Sequence, residues 1–134
     1  MRIDWRAVVL GFVVTVALGV ASGLIVAGAD ATTPAISWGL VGALGGIAAG
    51  FVAGGTVRSG AVHGGLATVF GWLVLLAVVT VTGLLFAGIV PALGVLGLGL
   101  LMLALYAIPG AVGGAVGSWI KGRRTAAETA RPQI

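Results

Sequence analysis

The sequence predicts an all-α integral membrane protein in which four transmembrane helices form one bundle. Three observations predict this fold: hydrophobic residues make up 60% of the 134 residues, they are grouped in four long runs, and the basic residues all fall on one side of those runs. Charged residues make up 7% of the chain, against about 25% in an ordinary soluble domain. Because a soluble surface needs more charge than this, the composition excludes a soluble enzyme, a nucleic-acid-binding protein and a disordered chain.

The four runs are each long enough to cross a bilayer. A helix needs roughly 20 apolar residues to cross about 30 Å of hydrocarbon. The predicted spans are approximately residues 7–29, 36–57, 65–90 and 96–120. Their boundaries are set by the polar segment before Pro34, by the segment from Arg58 to His63, and by Pro91 with the glycines after it. Transmembrane barrels need segments of about ten residues with alternating polarity, so the continuous runs favour helices.

The first run has a second interpretation as a secretory signal peptide, because Arg2 and Arg6 precede an apolar stretch that ends in small residues. The apolar core of such a signal is only about 7–15 residues long, which is shorter than residues 7–29. Cleavage would also leave three spans and an outer N-terminus with no basic marker. A retained first helix is therefore favoured.

The charge distribution predicts the orientation. Arg2 and Arg6 precede span one, Arg58 lies between spans two and three, and the basic tail, residues 121–134, follows span four. Four spans place all three segments on one side and leave only Asp30 on the other. Because cytoplasmic segments are enriched in Lys and Arg, both termini are predicted to be cytoplasmic.

Several basic residues at the span ends are predicted to anchor the protein to lipid head groups. Each cation close to an anionic leaflet gains about 1 kcal/mol, and a long side chain can reach the head groups from a helix end. The predicted anchors are Arg58, Lys121, Arg123 and Arg124. Membrane lipids are therefore the expected partners, and no contact with nucleic acid is expected.

Glycines repeat along one face of span two and recur in span four. Residues four apart lie on one side of a helix, so these glycines leave one face of the helix without side chains. In membranes, small residues let helix backbones approach closely. The predicted packing residues are Gly42, Gly46, Gly50 and Gly54 in span two, and Gly110, Gly113, Gly114 and Gly117 in span four. Packing of span two on span four is favoured. The alternatives are a seam with a second protomer or partner membrane protein, and the lining of a pore.

The two even spans also resemble each other. A shift of 63 residues aligns Gly50 and Gly54 with Gly113 and Gly117, and Arg58 with Lys121. This pattern predicts two parallel helical hairpins related by a repeat; the alternative is that two helices simply end at the same membrane interface.

Three segments, together with the glycine ladder of span two, carry a resemblance to a known family. Their sequences are WRAVV at residues 5–9, GAVHG at 60–64 and YAIPGAVGG at 106–114. The chain resembles, over about residues 2–124, a haloarchaeal family of small glycine-rich four-span membrane proteins catalogued as a domain of unknown function. The resemblance implies a location in the plasma membrane. It implies no activity, substrate or cofactor and supplies no functional residues.

Reactive groups are scarce in the sequence. With no cysteine, disulfides and cysteine-ligated metals are excluded, and no charged residue falls within a predicted span. His63, the single histidine, is expected in a short cytoplasmic turn as an interfacial residue, with a pH sensor as the alternative. Pro109 removes a helical hydrogen bond, which predicts a bend or break at residues 109–110.

The sequence therefore predicts a non-enzymatic membrane protein that acts as a structural, accessory or assembly component packed through its glycine ridges. The alternative is a passive channel or transporter for a small solute, lined by the glycine-rich spans two and four. No catalytic, cofactor-binding or metal-binding residues are predicted.

Overall fold

The described part of the protein is helical. The computed structural model describes residues 3–25 and 32–130, and no strand occurs in these ranges. The four helices are α1 (Trp5–Ile25), α2 (Thr32–Ala53), α3 (Val57–Ala87) and α4 (Ile89–Thr129). Each is long and apolar enough to cross a membrane, which confirms the predicted helical class and the four apolar helices of spanning length. The predicted end of span one at residues 26–29, and Asp30, lie outside the described residues.

The connection between α2 and α3 is shorter than the sequence predicted. Residues 58–64, interpreted as a break, form the first turns of α3. The chain reverses instead at Gly54 and Gly55, which have φ angles of 60° and 77° in the left-handed region that glycine tolerates. The side chain of Thr56 then accepts a hydrogen bond of 3.2 Å from the Ser59 N–H as the N-cap of α3. The capping residues, not the charge of Arg58, determine where α3 begins.

The connection between α3 and α4 is a single residue, Gly88, with a φ of 90°. Helix α3 therefore ends at Ala87, and α4 begins at Ile89, seven residues before the predicted start at 96. Pro91 lies in the first turn of α4, where backbone N–H groups have no helical partner, so its missing N–H removes no hydrogen bond.

Helix α4 runs from Ile89 to Thr129 with Pro109 inside it, so the helix is not broken at residues 109–110, while a bend there stays a prediction. Contacts on both sides of the proline hold the helix: the Tyr106 ring stacks on a neighbouring aromatic ring, and Gly110 lies against the backbone of α2. The same helix includes Lys121–Thr129, the first part of the predicted basic tail, whereas residues 131–134 lie outside the described residues.

The helices pack in a fixed order of neighbours. Helices α2 and α3 contact each other and both flanking helices, and in the described residues α1 has no contact with α4. The pair α2–α3 thus lies between α1 and α4. Val8 of α1, Ala49 of α2 and Ala67 of α3 form one buried apolar cluster. Small side chains at these contacts allow close approach of the helices.

Candidate functional site

Helices α2 and α4 contact each other through backbone atoms. A Cβ atom added at Gly46 would lie 3.0 Å from the Gly110 Cα atom, and one added at Gly50 would lie 2.7 Å from the Gly114 Cα atom. In both cases the carbonyl oxygen of the α4 glycine lies closer still. No side chain other than hydrogen fits between the helices at these positions.

The other two α4 glycines extend this contact. A Cβ atom at Gly113 would lie 3.1 Å from the Ala43 Cα atom, and one at Gly117 would lie 2.8 Å from the Phe51 backbone nitrogen. Together with the two pairs Gly46–Gly110 and Gly50–Gly114, these positions form what we call the glycine interface.

Helix α3 completes the glycine interface with two residues that the sequence analysis missed. A Cβ atom at Gly64 would lie 2.7 Å from the Gly114 Cα atom, and one at Gly60 would overlap the Gly114 carbonyl oxygen. Gly114 therefore lies in the groove between α2 and α3. The four-residue spacing of Gly60 and Gly64 was a usable signal, but the segment was interpreted as a turn.

The two ends of the α2 ladder differ from its centre. A Cβ atom at Gly42 would lie 3.4 Å from the Tyr106 carbonyl oxygen and 3.2 Å from the Thr68 methyl group, so the helices are farther apart there. Gly54 lies beyond the helix with a φ of 60° and lies under the side chain of Lys121. Its role is to end α2 rather than to pack against a helix.

Two buried threonines lie among the glycines. The hydroxyl of Thr68 donates to the Gly64 carbonyl at 2.9 Å and to the Gly42 carbonyl at 3.2 Å, which joins α3 to α2. The hydroxyl of Thr15 donates within α1 to the Gly11 carbonyl at 2.8 Å. Both side chains are fully buried, and these bonds satisfy hydroxyl groups that water cannot reach.

His63 lies in the second turn of α3 and is 1% exposed, so its predicted place in a short connecting turn was wrong. Its Nε2 accepts the backbone N–H of Asp4 at 2.8 Å. Since a backbone N–H only donates, the neutral ring carries its proton on Nδ1, which donates to the Ser59 carbonyl at 2.7 Å. Asp4 is the residue before α1, and its carboxylate accepts the Arg6 N–H at 3.0 Å. His63 thus connects the beginning of α1 to α3.

Replacement of His63 by phenylalanine is expected to lower the free energy of unfolding by about 1–3 kcal/mol, because it leaves the Asp4 N–H without an acceptor. His63→Gln keeps a side-chain acceptor and should lose less. Unfolding monitored by tryptophan fluorescence in detergent measures both variants, and hydrogen exchange at the Asp4 amide reports the local bond. Equal losses of unfolding free energy in the two variants, with unchanged hydrogen exchange at the Asp4 amide, would contradict the role of His63 as the acceptor of this N–H.

The basic residues of the described chain gather at one end of the bundle, which we call the basic end. It comprises Arg6, Arg58, Lys121, Arg123 and Arg124. The Lys121 ammonium donates to the Val52 carbonyl at 2.8 Å. This carbonyl belongs to the last turn of α2, where carbonyl groups lack helical partners and favour a cation.

Two further predicted lipid anchors have aromatic partners. The Arg123 guanidinium lies 4.1 Å from the Trp119 ring centroid, and that of Arg124 lies 5.5 Å from the Phe51 ring centroid, within the range of cation–π contacts. Arg58 is exposed. Binding of lipid head groups by these residues and by Lys121 stays a prediction.

An aromatic cluster lies at the level of Gly42, away from the basic end. The rings of Trp72 and Tyr106 stack with centroids 4.9 Å apart, and Trp38 packs edge-on against Trp72 at 5.2 Å. The cluster joins α2, α3 and α4. The ring of Trp38 therefore takes part in helix packing.

In the ranges that the structure describes, no three His, Cys, Asp or Glu side chains are grouped as a metal site requires.

Comparison with known proteins identifies a family but no characterised relative. The model of a family of unknown function, DUF5518, matches residues 5–120. The match confirms the resemblance to a domain of unknown function, while the haloarchaeal source stays a prediction. No curated protein and no solved structure matches the chain.

Proposed function

The chain belongs to the DUF5518 family of unknown function, and we propose that it is a non-enzymatic integral membrane protein that serves as a structural, accessory or assembly component. We place it in the plasma membrane as a multi-pass protein with both termini in the cytoplasm. The gathering of Arg6, Arg58 and Lys121 at one end of the bundle supports this orientation, because basic residues are enriched on the cytoplasmic side.

One observation carries the proposal: at the glycine interface, helices α2 and α4 meet backbone to backbone. The Gly110 carbonyl lies against Gly46, and the Gly114 carbonyl lies against Gly50. Such contacts favour a tightly packed bundle. The hydroxyl of Thr68, which bridges α2 and α3, adds a hydrogen bond to the same region.

The alternative function is a passive channel or transporter for a small solute, lined by α2 and α4. Its path would have to pass where Gly46 and Gly50 contact Gly110 and Gly114. Opening such a path requires the two helices to separate and to lose these contacts. The same observation that supports a packed bundle therefore disfavours a permanent pore.

A flux assay on the purified full chain in liposomes distinguishes these functions. We expect potassium release and glycerol-driven swelling to match protein-free liposomes, because the backbone contacts leave no path for either solute. A separate extraction of cell membranes with alkaline carbonate should leave the protein in the membrane fraction. Saturable flux of either solute would overturn the proposal in favour of the channel, and extraction of the protein would overturn membrane insertion itself.

A further inference from the structure

A buried histidine ties the start of α1 to α3. His63 is 1% exposed, and its Nε2 atom accepts the backbone N–H of Asp4 at 2.8 Å. Its Nδ1 atom donates to the Ser59 carbonyl at 2.7 Å. Both nitrogens of the neutral ring are therefore engaged, and only one of them, Nδ1, carries a proton.

The segment that His63 holds lies at the edge of the packed bundle. Residues 3–6 are exposed, whereas Ala7 and Val8 are only 0% and 3% exposed. The Asp4 N–H precedes the helix, so no carbonyl group within α1 accepts it. Release of Asp4 from His63 would therefore free residues 3–6 and leave the buried contacts from Ala7 onward in place.

A proton and the Asp4 N–H compete for the same lone pair of His63. In the bonded state this lone pair, on Nε2, accepts the N–H at 2.8 Å. Protonation turns Nε2 into a second donor, and two N–H groups that face each other repel. The ring cannot move its proton to the other nitrogen, because Nδ1 already carries one and donates it to the Ser59 carbonyl. Proton uptake and the bond to Asp4 therefore exclude each other.

The charged groups at this end of the bundle are mostly cations. Those that the structure describes are Asp4 and Arg6 at the start of α1, Arg58 of α3, and Lys121, Arg123, Arg124 and Glu128 of α4, while α2 has none. The Asp4 carboxylate already accepts the Arg6 N–H at 3.0 Å, and Glu128 is exposed at the end of α4. With five cations against two acids, a further positive charge on the buried ring meets net repulsion.

We infer that the bond between Asp4 and His63 is an acid-sensitive latch. It holds the start of α1 on α3 while the ring is neutral, and it opens when Nε2 takes up a proton. The latch goes beyond the proposed function, because it gives the packed bundle a part that responds to pH. In the proposed orientation the basic end lies in the cytoplasm, so the signal is cytoplasmic acidification.

The direction of the pH dependence follows from proton binding. The open state binds one more proton than the closed state, so a lower pH favours opening. A histidine side chain in water takes up a proton near about pH 6.5. The latch therefore has its full strength above about pH 6.5, and its opening constant rises about ten-fold for each pH unit below this value.

Amide hydrogen exchange of the full chain in detergent micelles, where one pH reaches both ends of the bundle, tests the latch. The quantity measured is the protection of the Asp4 amide, which is its exchange rate relative to that of an unstructured chain at the same pH. We expect this protection to fall about 30-fold between about pH 8 and about pH 5. The Gly46 amide, inside the glycine interface, should keep its protection. Unchanged protection at Asp4, or an equal fall at Gly46, would overturn the inference.

His63→Gln is the matched control for the titrating group. Glutamine offers the Asp4 N–H a side-chain oxygen but binds no proton in this pH range, so the protection of the Asp4 amide should change less than about three-fold. A fall as large as in the native chain would assign the effect to another titrating group and contradict the latch.

A second variant, Asp4→Asn, tests whether the Asp4 carboxylate captures the protonated ring. Asparagine keeps the backbone N–H and a side-chain oxygen for the Arg6 N–H but lacks the negative charge. We expect the same fall of about 30-fold as in the native chain. A fall in one of these two chains but not in the other would show that the carboxylate decides the contact, and the inference would be wrong. None of these outcomes bears on the flux or carbonate tests, so the proposed function is tested separately.

Discussion

Replacement of Gly50 by leucine is expected to lower the free energy of unfolding by about 3 kcal/mol, the upper end of the effects of overpacking. The first atom of the new side chain would already overlap the Gly114 carbonyl group. Because the obstacle is backbone rather than the end of a flexible side chain, α4 has to move as a whole. That movement would also separate Gly46 from Gly110.

Gly39→Leu is the matched control for this prediction. It makes the same change in the same helix, but a Cβ atom at Gly39 meets nothing within 4 Å. We expect it to be neutral or slightly stabilising, since leucine has a higher helix propensity than glycine. Thermal unfolding in detergent, followed by circular dichroism and by size-exclusion profile, compares the two variants. If Gly50→Leu and Gly39→Leu unfold at the same temperature as the native chain, the glycine interface does not stabilise the bundle.

The helical class and the number of apolar helices were predictable because they depend on chemistry that is local in sequence. A long apolar segment in a membrane has to satisfy its backbone groups internally, and the four runs have the length that this requires. The match of a family of unknown function to residues 5–120 confirms the resemblance. The orientation and the hairpin repeat stay predictions.

The helix boundaries were less predictable because a hydropathy pattern does not show which residues cap a helix. The segment containing Arg58 was interpreted as a break since it is polar, yet Gly55 and Thr56 end one helix and begin the next. A correct boundary would have added Gly60 and Gly64 to the set of packing glycines. The error in one turn thus concealed one of the three helices of the glycine interface.

Long-range partners were beyond the reach of sequence patterns. Lys121 has the charge and the position of a lipid anchor. Its ammonium nevertheless donates a hydrogen bond to the Val52 carbonyl, 69 residues away. His63 receives the Asp4 N–H across 59 residues. Nothing in the spacing of either pair indicates a contact, because their distance in space follows from how the helices pack.

Thr15 of α1 lies against both α2 and α3 and fixes the distance between the three helices. Its side chain fills the space left by glycines on both neighbours: a Cβ atom at Gly45 of α2 would overlap the Thr15 hydroxyl, and one at Gly71 of α3 would lie 2.7 Å from the Thr15 methyl group. The side chain is fully buried.

Gly45→Ala is therefore expected to destabilise the protein by about 2 kcal/mol through overlap with Thr15. Thr15→Ala alone should destabilise it by about 1 kcal/mol through the lost hydrogen bond to the Gly11 carbonyl. In the double variant the alanine of α2 occupies the space that the hydroxyl leaves. The built Cβ atom at Gly45 is still 3.1 Å from the Thr15 Cβ atom, so we expect partial rather than complete recovery.

A double-mutant cycle measures this compensation as a coupling free energy, which we expect to be at least about 1 kcal/mol for residues in contact. Denaturant unfolding of the four proteins in the same detergent provides the values. The control cycle pairs Thr15→Ala with Gly23→Ala, since a Cβ atom at Gly23 meets nothing within 4 Å. The effects of Thr15→Ala and Gly23→Ala on the free energy of unfolding should add. Additive effects of Gly45→Ala and Thr15→Ala would show that Thr15 does not set the spacing of α1 and α2.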